Sequence, residues 1–130
     1  MGEQSEPFTM YEGRVALFRL PEAPSAQFFK TQFTDALEYL IESGKPFSLI
    51  IDSSMVNTIS LEITNNMIRW LKQNRENLQQ TLTSSSVIVT GGLVKGVLDV
   101  VFKLYKPVAP MGIVDDEQSA WDFIPKNELQ

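Results

Sequence analysis

At 130 residues, 43% hydrophobic and 21% charged, the chain has the size and composition of one globular domain with a single substantial core. Its formal net charge of −5 disfavours a binder of phosphate backbones, which needs a basic stripe. It contains no cysteine and no histidine, which excludes disulfides, thiolate nucleophiles, thiolate or His-ligated metal sites and Ser-His-Asp hydrolysis.

No calcium-loop spacing is present either, so the expectation is a non-enzymatic protein without metal or cofactor. Residues Met1 to Glu6 are polar and acidic, unlike a signal peptide, and read as a disordered lead. No apolar run approaches the ~20 residues of a membrane span. The expected organisation is a lead at 1–6, one domain over 7–125 and a frayed tail at 126–130, in a soluble cytoplasmic protein with no integral membrane segment.

Phe8 to Glu12 and Arg14 to Leu20 flank Gly13 and predict a β-hairpin. Pro21 and Pro24 break the chain, and Ser25 is placed to cap a helix running to Ser43, closed by Gly44 with Pro46 beyond. Phe29, Phe33, Leu37, Leu40 and Ile41 recur at helical spacing along it. Strand and helix then alternate: a buried strand from Phe47 to Asp52, a helix from Ser60 to Leu82, a strand from Ser86 to Thr90. A helix from Leu93 to Lys106, a strand from Ala109 to Val114 and a closing helix from Asp116 to Ile124 follow. Thr83, Ser84 and Ser85 read as turn chemistry between helix and strand.

This alternation predicts an α/β fold: a mostly parallel five-stranded sheet with an N-terminal antiparallel hairpin and four helices. Right-handed crossovers place most helices on one sheet face and leave the other, with the hairpin, more open.

The helix from Leu93 is the most unusual element. Val94, Val97, Leu98, Val101, Leu104 and Tyr105 form a core stripe; Leu93 and Val100 extend it on one side and Phe102 on the other. The apolar arc spans roughly 200°, against about 100° for an ordinary surface helix. Neighbouring helices, a second chain or an apolar ligand must meet the excess. The interface and hydrophobic-ligand candidates are therefore Leu93, Val97, Leu98, Val101, Phe102 and Tyr105. For an interface, Phe102, Leu98 and Tyr105 are the expected anchors and lysines the rim; for a pocket, Phe, Met and Val line it.

Thr90-Gly91-Gly92 opens this helix without the spacing of a phosphate loop, and reads as a glycine turn. Asp115-Asp116-Glu117 reads as capping and first-turn acids.

The order hairpin, helix, strand, helix, strand, helix, strand, helix resembles the STAS / SpoIIAA-like domains, and in particular the bacterial STAS/SEC14-like group. Ser86-Val-Ile-Val-Thr-Gly-Gly92, Leu93 to Pro107 and Asp115 to Ile124 carry the resemblance, which covers about residues 8 to 124. It implies a regulatory or scaffolding module that acts by protein–protein contact, with another protein or a homodimer as partner; the negative charge argues separately for no nucleic acid. The SEC14-like side implies instead a carrier or sensor of a small, lipid-like hydrophobic ligand.

In the family's partner switches, a serine in a strand-to-helix loop is phosphorylated, within a pattern of roughly Asp-x-Ser-Gly-Val-x-Phe-Ile-Asp-Ser-Ser-Gly. Here Asp52, Ser54, Val56 and Ile59 agree with it, but the two serines fall on Leu61 and Glu62 and the phosphoacceptor is absent. The regulatory-loop candidates are Asp52, Ser53, Ser54, Thr58, Ser60 and Glu62, whose plainer reading is turn and cap chemistry.

Overall fold

The computed structural model describes residues 8–11 and 14–124. The lead at 1–6, the turn at Gly13 and the tail at 126–130 lie outside the described residues. Five strands form one sheet whose spatial order is the chain order: β1 (Phe8–Tyr11), β2 (Val15–Arg19), β3 (Phe47–Asp52), β4 (Leu82–Ile88) and β5 (Met111–Val114). β1 and β2 pair antiparallel and every later pair is parallel. The α/β class and the mixed sheet agree with the sequence reading.

Residues 26–43 form one helix, α1, capped by Ser25 Oγ, which accepts from the Phe28 N–H at 3.0 Å, and ended by Gly44 at φ 75°. Gly44 adopts this left-handed conformation without the steric cost a Cβ would add. The stretch Phe29–Thr34 is wound as a π-helix. Phe33 packs edge-on against both Phe18 and Phe29, with ring centroids 5.0 and 4.9 Å away.

The expected helix from Ser60 to Leu82 is two helices, α2 (Leu61–Gln73) and α3 (Arg75–Thr81), so the described residues carry five helices rather than four. Asn74 makes the break: its φ of −107° and ψ of 16° leave the helical region, and its Nδ2 donates to the Trp70 carbonyl at 2.9 Å. α4 (Gly92–Leu104) and α5 (Glu117–Phe123) complete the set.

β4 starts four residues earlier than expected, because Thr83 and Ser84 are not turn residues. Ser48 Oγ on β3 lies 2.6 Å from Thr83 Oγ1 and 3.0 Å from Ser84 Oγ, so the hydroxyls satisfy one another across the ladder. Paired in this way, Ser48 and Ser84 sit buried in the sheet.

One face of the sheet carries α1 to α4. Ala16, Phe18, Phe47 and Leu49 pack there with Phe29, Phe33, Leu37, Ile63 and Leu78, and Val87 and Val89 pack with Val94 and Leu98 of α4. The opposite face is less open than expected. α5 lies on it, and Val15, Leu17, Ile50 and Ile88 are buried with Ala120 and Ile124. Tyr11 stacks on Trp121 with centroids 5.1 Å apart, and a Cβ built on Gly112 would stand 2.8 Å from the Phe123 ring. At the edge of this face, Arg19 bridges Asp52 at 2.8 Å and Glu117 at 3.2 Å. Desolvation pulls the guanidinium pKa down, but these two carboxylates outweigh it and leave it raised.

Candidate functional site

The loop after β3 is held by turn and cap bonds. Asp52 Oδ1 accepts from the Ser54 N–H at 2.9 Å, while its Oδ2 takes Arg19. Ser53 is buried, and its Oγ donates to the Ile88 carbonyl at 2.6 Å, so its hydroxyl serves the β3–β4 junction. Ser60 Oγ caps α2 by accepting from the Ile63 N–H at 3.0 Å, and Glu62 stands in the first turn of that helix, where its charge favours the dipole. Thr58 is exposed, its N–H bonded to the Glu22 carbonyl, and Ser54 is exposed, its carbonyl accepting from Thr90 Oγ1. The structure thus divides this set: Ser54 and Thr58 present residues to solvent, and Ser53 and Ser60 commit their hydroxyls inward or along the backbone.

The candidates on α4 separate into two groups. Val94, Leu98, Val101 and Tyr105 are buried. Leu93, Val100 and Leu104 are exposed, Leu104 by 53%, and Val97 is half-buried beside them. Leu104, read as core in the sequence, thus lies on the outer side. Spacings of four, three and four residues put Leu93, Val97, Val100 and Leu104 on one line along the helix. Gly92 and Gly96 leave that side of the helix low, and a shallow groove runs between it and Ile59, Leu61 and Thr64 at the start of α2. Leu61, 73% exposed, forms the other lip. Lys95, Asp99 and Lys103 stand on the solvent side of α4.

Leu98, Val101, Phe102 and Tyr105 turn instead toward a second space. α2, α3 and α4 leave a cavity of about 100 Å³ above Leu49, Ile51, Leu82 and Ser85 of the sheet. Met67, Trp70, Leu71 and Leu78 wall it on one side, and Pro107 to Ala109 and Met111 on the other. Its surface is almost wholly hydrocarbon. The polar tips of its two large amphipathic residues are engaged: Trp70 Nε1 donates to Glu38 Oε2 at 2.7 Å, and Tyr105 faces Arg75. The Arg75 guanidinium carbon lies 5.4 Å from the Tyr105 ring centroid, and Nη1 donates to the Lys106 carbonyl at 2.6 Å, which ties α3 to the end of α4. Burial raises the Tyr105 phenol pKa above its ordinary value near 10, against the pull of Arg75.

Sequence reasoning did not find Ser85, Arg75 or Leu61 as members of these surfaces. Ser85 was hidden in a run of hydroxyl residues, and Arg75 on a face with Lys72 and Glu76 that reads as solvated. A second groove it did not find, of about 360 Å³, separates α1 from α2 and is crossed by the Trp70–Glu38 bond. Among the described residues no cluster of acidic side chains is arranged to hold a metal, and no helix is long and apolar enough to cross a membrane.

No family model matches the chain, and neither a curated protein nor a solved structure matches it.

Proposed function

We propose that this chain is a STAS-like, non-enzymatic regulatory or scaffolding module that works by protein–protein contact through the outer side of α4. The observation that carries this reading is the line Leu93, Val97, Val100 and Leu104, faced across a groove by Leu61. Four apolar side chains at helical-seam spacing, with glycines that admit a close neighbour, suit a packed helix or a second apolar surface. The sequence reading chose Phe102, Leu98 and Tyr105 as anchors. Their position at the cavity favours Val100 and Leu104 instead, which are exposed and cost little to replace.

The test is native mass spectrometry of the protein purified from its host, as wild type and as the double variant Val100→Glu, Leu104→Glu. A dimer or stoichiometric complex in the wild type that the variant loses, with unchanged circular dichroism, supports the reading. The same masses from both proteins sink it.

A second reading, carrier or sensor of a small hydrophobic molecule, is favoured by the cavity beneath the same helix. Its volume lies below the ~300–1,000 Å³ of drug-sized sites and supports a ligand smaller than a lipid.

A further inference from the structure

An apolar cavity stays dry and takes an apolar guest, and a polar group in its wall decides which guest is preferred. This cavity has one such group whose partner is weak. Ser85 sits on β4 with its side chain on the helix-bearing face, lines the cavity and is only 6% exposed. Its hydroxyl makes one described bond, to the Met111 sulfur at 3.2 Å. A thioether is a weak acceptor, so the O–H group is buried at much less than its full hydrogen-bonding value. The neighbouring hydroxyls on the same strand are better served: Ser84 by Ser48, Thr83 by Ser48 and the Phe47 carbonyl, Ser86 by the Ala120 carbonyl. Ser85 is the one whose donor is met by sulfur.

We infer that the cavity between α2, α3 and α4 is a binding site for a small apolar molecule, about one six-membered ring in size, that carries a single carbonyl. The carbonyl oxygen accepts the hydrogen of Ser85 Oγ in place of the Met111 sulfur. The hydrocarbon part lies against Leu98, Val101 and Phe102. This rests on the carrier reading above and adds the chemical class of the ligand.

Size sets the upper limit. A dry cavity of ~150 Å³ lined by aliphatic and aromatic side chains takes benzene. At about 100 Å³ this one is somewhat smaller. Met67 and Met111 line it, and unbranched thioether side chains yield by rotation where Leu or Val would not. Chemistry sets the class. The lining offers one donor held only by a weak sulfur acceptor and no charge, so a carboxylate or an ammonium would be buried unpaired, whereas a ketone, aldehyde or ester carbonyl is matched one to one.

The test uses the full chain with ¹³C-labelled methionine methyls, titrated with cyclohexanone and, separately, with methylenecyclohexane, a near-isostere in which CH₂ replaces the carbonyl oxygen. Both are expected to move the Met67 and Met111 methyl resonances. In Ser85→Ala the dissociation constant of cyclohexanone should rise about five- to tenfold, the worth of one net hydrogen bond, while that of methylenecyclohexane stays within about twofold. Ser85→Cys, close in size to the native residue and a poor donor, should behave like the alanine variant and guards against a folding defect in either. Equal responses of the two probes to loss of the Ser85 hydroxyl would overturn the carbonyl assignment and leave the carrier reading standing. No movement of either methyl up to the probes' solubility would overturn both.

Discussion

Ser85 and Ser86 are adjacent on β4 and point to opposite faces of the sheet, where the packing differs in kind. Beneath α5, Ser86 is fully buried and its Oγ donates to the Ala120 carbonyl at 3.3 Å. That face is closed by a seven-residue helix laid so near the sheet that Gly112 has no room for a Cβ beside Phe123. On the other face, α1 to α4 contribute far more apolar surface and still leave a void. The contrast shows that the amount of apolar surface does not by itself fix packing density. One short helix can follow the sheet closely. Helices that cross one another, with a break at Asn74 and a π-helical stretch in α1, cannot all do so.

The largest effect that would break this contrast is cavity creation. Ile50→Ala on the α5 face removes a side chain with no exposed surface and should cost about 4–5 kcal/mol, near the top of the range for such changes; Leu98→Ala, beside adaptable Met67 and Met111, should cost only ~2–3. Urea unfolding of both variants checks this, and equal losses would mean that the two faces relax alike.

The paired serines give a sharper test, because the expected signs differ. Ser86→Val should destabilise by about 1–3 kcal/mol through overpacking and loss of its bond to Ala120. Ser85→Val fills part of the void and removes a poorly met hydroxyl, and should be neutral or stabilising by up to ~1 kcal/mol. A loss on both sides would show that the cavity is not available to a larger side chain.

A smaller effect is expected at Gly112. Gly112→Ala should lower stability by about 1 kcal/mol, since the Phe123 ring must swing outward from a contact of 2.8 Å, and Phe123→Leu in the same chain should recover most of that loss. Additive losses in the double-mutant cycle would mean that the ring is not what limits the site.

The smallest effect is electrostatic. The Asp116 carboxylate caps α5 by accepting the Ser119 N–H, which holds its pKa below the ordinary 3.8. A depressed folded-state pKa means stability that is present above about pH 4 and is lost as pH falls through the lower, folded value. Asp116→Asn keeps a capping oxygen but should flatten the stability profile in that acidic window. A profile unchanged by the substitution would show that other carboxylates govern acid unfolding.

Much of the fold was legible in the sequence, and the reasons are local. Ser25 and Gly44 bound α1 as caps whose chemistry depends on a few neighbouring residues. β3 is buried on both faces from Phe47 to Ile50, so Leu49 to Ile51 read as part of a buried strand, while β2 read only as one half of the hairpin although Val15 to Phe18 are all buried. What did not read correctly depends on partners distant in sequence. Thr83 and Ser84 pass for a turn until Ser48 is set opposite them, 35 and 36 residues away. Asn74 breaks a helix whose apolar spacing carries on through Leu78 and Leu82. At the candidate site, the excess apolar arc of α4 was visible, but its division was not. Periodicity gives the width of the arc, and only the positions of α2 and β5 decide that Phe102 faces a cavity and Leu104 faces water.

The identity of strand order and chain order bears on how the molecule is made. Each strand of this sheet pairs with the one synthesised just before it, so a growing chain can add β3 to β2 and β4 to β3 without waiting for later segments. The α5 face is the exception. Its cover is made after all five strands, and Glu117 reaches Arg19 across 98 residues. Until residues 111–124 have emerged, Ile50, Ile88 and the Ser86 hydroxyl stand uncovered beside an unpaired edge, which makes that interval the one in which a nascent chain is most open to sticking to its neighbours.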